Sequence, residues 1–323
     1  MAVWSPAAAA ATEPARGLLR ESTARGLRRG GDEGETVGDS EGRDRGTVVV
    51  DVGPVIVRAW GNGTVTRQRA AVLRTREGLE YGDEAARRAG DGLGAFEPSL
   101  PSAVDEEYTA LGDAVFRTVE LFRGLLRHVH AAVAVGDGVQ AGRECGRARM
   151  VLVLPGQWGT IRRGVLERAA AALADDVVTV GSTWAAVTSA ESEGLIRPGG
   201  AVGVVEQWPE CTVSSVVDRR PQRRSAGGGR WNPGVVRPPE HRRAVHGAGD
   251  VLGREGVAGS ECGTGLLPGL ADLNGGVAPD GVIAVPRAGR EFDRTLCAAG
   301  GARLVCTDGD APLRGAVLWA RTP

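Results

Sequence analysis

Residues 47 to 60, TVVVDVGPVIVRAW, constrain the fold more than any other stretch of the chain. An apolar strand from Thr47 to Val52 runs through Asp51 and Gly53 into a turn and returns as a second strand, Val55 to Trp60. Such a strand-turn-strand commits the segment to the interior of a sheet, with one carboxylate carried at its tip. The tip itself is poor in groups that could grip an anion or a metal. Pro54 has no backbone N–H to donate, and Val55 has no hydroxyl.

The rest of the composition mainly excludes. A chain of 323 residues, 42% hydrophobic and 24% charged, can bury a substantial core in one large or two ordinary domains. All 39 basic residues are Arg, so a phosphate-binding loop of the GxxxxGK[ST] type and any catalytic Lys are ruled out. The net charge of −1 gives no global attraction to nucleic acid or to an anionic membrane. Five cysteines (Cys145, Cys211, Cys262, Cys297 and Cys306) form no CxxC pair, which argues against a zinc ribbon, a thioredoxin motif or a disulfide framework. No metal is expected. His128 and His130 are two apart on a helix and face apart, His241 and His246 lack HExxH spacing, and GTGLLPG at 263–269 follows no strand. No signal peptide and no apolar run of membrane-spanning length is read, so a cytoplasmic protein without membrane insertion is expected.

Along the chain, residues 1–46 are Ala, Gly, Arg and Glu with few large apolar residues, and are expected to be disordered. The hairpin is followed by an expected third strand (Gln68–Arg74), a short helix in YGDEAARRA and a polar linker (Glu97–Glu107). Then comes a helix with Val119, Phe122, Leu126, Val129 and Val133 on one face. From 149 the order alternates: strand Met150–Leu154, a helix capped by Thr160, strand Val177–Val180, helix Ser182–Gly194, and a hairpin of Ala201–Val205 with Thr212–Val217. An Arg- and Gly-rich stretch, about 219–280, reads as a flexible insert, with eight Arg between Arg219 and Arg243. Alternation resumes with strand Val282–Val285, helix Arg290–Ala299, strand Arg303–Cys306 and a helix Pro312–Ala320 capped by Asp310.

In this order the pieces resemble the actin-like ATPases, the superfamily of the heat-shock chaperones and many sugar kinases. DVG at 51–53 is similar to their first phosphate strand, YGDEAARRA to the chaperone "vGdeA" helix, and VLVLPGQWGTIRRGVLERAAAAL to a strand-helix of that fold. STWAAVTSA resembles the connecting helix, and residues 280–320 resemble the closing adenosine segment, whose last helix starts with Gly315 and Ala316. Within the superfamily, VDVGP, VDEEYTALGD and VLPGQWGTIRR are similar to the type VII secretion-associated proteins of actinobacteria. The resemblance implies an α/β, ribonuclease H-like fold with duplicated lobes, a first lobe over 47–148 and a second over 149–323. It implies a vestigial nucleotide site at Asp51, Gly53, Glu206 and Gly315.

The departures from the family pattern all fall on loops that would touch nucleotide. Where a glycine-rich second phosphate loop belongs, the chain reads EQWPEC, keeping Glu206 but placing Trp208, Pro209 and Glu210 where backbone must approach closely. Where a Gly pair belongs in the adenosine loop, VPRAG has Pro286 and Arg287. These departures imply a pseudoenzyme with no catalytic residue and no cofactor, acting through a protein partner associated with type VII secretion. Two alternatives stand beside it. Asp51 and Glu206 could still serve a weak Mg-ATP-dependent ATPase or kinase, although an Asp capping a tight turn is the plainer role for Asp51. Or the chain could be a structural domain docking an acidic partner through its Arg-rich loop. Trp158 and Trp184 are candidate partner anchors or, more simply, packing residues.

Overall fold

The first strand expected from the sequence, β1 (Thr47–Val52), is buried along its whole length and is followed by β2 (Ile56–Gly61) and β3 (Thr64–Arg69). The computed structural model describes residues 46–134, 149–209, 211–219, 241–247, 270, 271, 273, 276–287 and 304–321, with 241–247 as backbone only. All of them lie in one compact unit spanning residues 39–323. The chain continues with β4 (Val72–Arg74), β5 (Leu79–Tyr81), α1 (Gly82–Gly90), β6 (Ala95–Glu97), a 3-10 turn (Leu100–Ala103), β7 (Tyr108–Leu111), β8 (Ala114–Arg117) and α2 (Thr118–Ala134). There follow β9 (Arg149–Leu154), α3 (Thr160–Ala170), β10 (Asp176–Gly181) and α4 (Ser182–Ser192). The described remainder comprises β11 (Ala201–Gln207), β12 (Cys211–Asp218), β13 (His241–Gly247), β14 (Gly281–Pro286), β15 (Leu304–Cys306) and α5 (Ala311–Arg321).

Two five-stranded sheets carry the fold, in the orders β10-β9-β1-β2-β3 and β15-β14-β11-β12-β13. Their topologies are the same. In each, three successive strands form an antiparallel meander, and two later strands add in parallel on the far side of the first. One supersecondary plan is thus used twice.

Strand alternation sorts the side chains into layers. Val48, Val50 and Val52 of β1 pack with α2 and α3 residues such as Phe122, Leu126 and Leu166 on the outer face of the first sheet. Val49 points the other way, to a core with Trp60, Val151, Val153, Ala185, Leu313 and Ala316. The second sheet repeats this: Ala201, Val205 and Ala284 pack with Leu270 outside, whereas Val202, Val204, Ile283 and Val285 pack with Ala186, Val187 and Ala190 of α4. Helix α4 therefore contributes to both inner cores, and α4 with α5 forms a layer between the sheets.

The structure differs from the sequence reading at several elements. The expected third strand, Gln68–Arg74, is two strands, β3 and β4, broken at Ala70 and Ala71. The expected linker 97–107 contains the 3-10 turn, whose Pro101 sits in its first turn. Thr160 is the first residue of α3, not its cap; Gly159 holds that position with no side-chain cap bond. Strands β9 and β10 join β1, so a division at 149 would cut through the first sheet. Part of the expected insert is a strand, because β13 pairs antiparallel with β12 from Val217↔His241 to Cys211↔Gly247. The expected helix 290–299, the N-terminal extension 1–45 and residues 220–240, 248–269, 272, 274 and 275 of the expected insert lie outside the described residues.

Candidate functional site

The same alternation that builds the layers sets the polar site. On β1, Val49 and Asp51 share the inward face; on β11, Val202, Val204 and Glu206 do; on β14, Ile283 and Val285 do, with Arg287 two residues further on. Each of the three charged residues lies at the C-terminal end of its strand or just beyond it. Each is at most 1% exposed as a side chain.

These residues converge, although Asp51 and Arg287 are 236 positions apart. Arg287 Nη2 donates to Asp51 Oδ1 at 2.6 Å and Nη1 to Asp51 Oδ2 at 2.9 Å, a bidentate fork. Its Nε lies 3.9 Å from Glu206 Oε1, too far for a hydrogen bond. Trp208 closes the guanidinium from another side, with its ring centroid 5.3 Å from Cζ. Glu206 is satisfied instead by two hydroxyls at the start of α4: Ser182 Oγ donates to Oε1 at 2.7 Å and Thr183 Oγ1 to Oε2 at 3.0 Å.

A second pair flanks the first. Arg58 of β2 donates from Nε to Asp310 Oδ1 at 2.8 Å, and its Nη1 lies 3.7 Å from Asp51 Oδ2. Arg67 of β3 also pairs with Asp310, whose carboxylate therefore binds two arginines rather than capping α5. The first turn of α5 is closed by backbone, Arg314 N donating to Asp310 O at 3.0 Å.

The electrostatics follow from burial. Desolvation raises the pKa of Glu206 above its ordinary value, while Arg287, Ser182 and Thr183 pull it the other way. Burial works against the charge on Arg287, but contact with Asp51 outweighs it and holds the guanidinium pKa above its ordinary value. For Asp310 burial is overridden by the hydrogen bond from Arg67 and the nearby Arg58, and the pKa falls.

Of the four residues expected at a vestigial site, Asp51 and Glu206 meet at Arg287. Gly53 lies at the hairpin tip, which is closed on itself by Gly53 N donating to Ile56 O at 3.1 Å. A Cβ there would sit 2.5 Å from Ile56 O. Pro54 O accepts from Ser99 Oγ at 2.7 Å, tying the tip to the 3-10 turn. Gly315 lies at the crossing of α4 and α5, where a Cβ would meet Ala185 O at 1.8 Å. In the sequence Arg287 stands out only as a replacement for a loop glycine. Its parity with Ile283 and Val285, and its position beyond a strand parallel to β11, were the available signals.

Beside the charged cluster is a cleft of 760 Å³, walled by Pro54, Val55, Pro101, Trp158, Trp208 and Pro209. Trp158 is 5% exposed and belongs to the outer core of the first sheet, and Trp184 stacks edge-on against Trp319 at 6.5 Å. Both candidate anchors thus have packing roles.

The residues present do not fit a magnesium nucleotide. Both Asp51 oxygens are taken by Arg287, the hairpin tip spends its glycine N–H within its own turn, and Trp208 and Pro209 fill the second loop. Among the described residues, no group of three or more His, Cys, Asp or Glu could hold a metal ion. No described helix is long and apolar enough to cross a membrane.

The two repeated sheets with shared inner helices are the fold of the actin-like ATPases. Comparison with solved structures agrees. A non-polymerising MamK variant bound to AMPPNP has a TM-score of 0.53 at 14% identity, over 85% of this chain and 98% of that one. MreB5 of Spiroplasma citri bound to AMPPNP gives 0.54 at 12% identity, over 84% and 95%. A MamK double helical filament gives 0.54 at 13%, over 86% and 99%. No protein-family model and no curated protein matches the sequence.

Proposed function

We propose that this chain is a non-catalytic actin-like protein that acts in the cytoplasm by binding another protein, in association with type VII secretion. The observation carrying the first half is the buried fork of Arg287 on Asp51, at 2.6 and 2.9 Å. The Asp51 carboxylate at the hairpin tip is already neutralised from within. The secretion context rests on the likeness of VDVGP, VDEEYTALGD and VLPGQWGTIRR to type VII secretion-associated proteins.

The rival is a weak Mg-ATPase, favoured by one observation: Asp51 and Glu206 do flank a single cationic position. The two readings separate on nucleotide. Each lost charge-assisted hydrogen bond to phosphate costs about 1.5–3 kcal/mol, so several lost together move binding from micromolar toward millimolar. Low-millimolar Mg·ATP should leave the melting temperature unchanged and give no hydrolysis above background. A reproducible shift that disappears in Asp51→Ala would establish the ATPase instead. For the secretion context, affinity capture from the native host should enrich type VII secretion components over an unrelated actin-like control; capture with no such enrichment would remove the secretion context.

A further inference from the structure

The charged cluster does more than fill a site, because its members come from opposite sheets. Asp51 and Arg58 belong to β1 and β2 of the first sheet. Arg287 follows β14 of the second, and Asp310 lies in the turn between β15, also of the second sheet, and α5. The bidentate Arg287–Asp51 fork and the Arg58–Asp310 bond at 2.8 Å therefore both run across the space between the lobes. The backbone is fitted to this crossing. A Cβ on Gly309 would lie 2.6 Å from Arg58 Nη2 and 2.9 Å from Pro286 O, so a larger residue would displace the Arg58 guanidinium from Asp310.

We propose that Arg287 is a tethered cation that ties the two lobes together, so that closure of the cleft is a property of the polypeptide and needs neither nucleotide nor divalent metal. This rests on the non-catalytic reading and extends it. A partner would meet one constitutive closed form instead of a form set by bound nucleotide. The charge arithmetic suits the role. Arg287, Arg58 and the more exposed Arg67 supply three positive charges against Asp51 and Asp310, so no further cation is needed there, and Glu206 is satisfied by the hydroxyls of Ser182 and Thr183. A guanidinium fork also fixes direction, which a hydrated ion would not.

Removing the cation should open the lobes. Arg287→Ala leaves two facing carboxylates in one buried cavity and should lower the melting temperature by about 6–20 °C, the loss expected from breaking a buried pair. Millimolar methylguanidinium should restore at least half of that loss, saturably, while equal sodium chloride should not. The neutral double variant Asp51→Asn, Arg287→Met guards against simple misfolding. It should keep its circular dichroism but show a larger radius of gyration by small-angle scattering than the wild type, whose radius should be the same in Mg·ATP and in EDTA. Absence of methylguanidinium rescue in folded Arg287→Ala, or a double variant as compact as the wild type, would overturn the tether. A nucleotide-dependent thermal shift in the wild type would instead count against the non-catalytic reading, so the two failures are distinguishable.

Discussion

Glu206 shows how a single buried carboxylate sets a pH response. Its pKa is raised above the ordinary 4.5, first by desolvation, against the pull of Arg287, Ser182 and Thr183. The folded state therefore holds this proton more tightly than the unfolded chain. The associated stability is fully present below pH 4.5 and is lost as pH rises through the folded pKa. Melting curves of wild type and Glu206→Gln should accordingly diverge above that pH, with the wild type falling relative to the variant. Parallel curves would mean that Glu206 is not held protonated by the fold. The carboxylate was visible in the sequence as an acidic residue ending a strand. Its ionisation was not, because that depends first on complete burial in the folded protein and then on Arg287 standing 3.9 Å from it, 81 residues downstream.

Two glycines separate what packing demands from what a helix merely tolerates. Gly315 lets α5 rest against α4, where a Cβ would approach Ala185 O to 1.8 Å and Ser189 N to 3.0 Å. Gly315→Ala should destabilise by roughly 1–3 kcal/mol or more, because both obstacles are backbone. Gly164, inside α3, meets only the end of the flexible Arg168 side chain, at 3.3 Å. Gly164→Ala should therefore stabilise by about 0.5–1 kcal/mol through helix propensity. Urea midpoints at unchanged m-value read both. The element boundaries that the sequence missed have the same origin. The short strands β4, β5 and β6 are defined by pairing with each other, not by their own periodicity, and Thr160 offers a hydroxyl that the approach of the chain to α3 leaves unused as a cap.

At the scale of the molecule, α4 joins the two sheets into one cooperative body. Its Ala185 belongs to the inner core of the first sheet and its Ala186, Val187 and Ala190 to that of the second. Unfolding should be a single transition. Leu152→Ala, in the first sheet, and Ile283→Ala, in the second, should each cost about 2–5 kcal/mol and shift the same transition whether followed by fluorescence or circular dichroism. Two transitions, each moved by only one variant, would show that the lobes fold separately.

The sequence by itself determined the repeated use of strand and helix, the hairpin at 47–60, and the acidic residues Asp51 and Glu206 at or just after the ends of buried apolar strands. These depend on local apolar runs and on the turn residues that interrupt them, which each segment carries in its own composition. Only the tertiary structure decided what those carboxylates face. A guanidinium at the end of β14 reaches Asp51 because two separate sheets share one helical layer. No local pattern encodes the distance between residues that far apart in the chain.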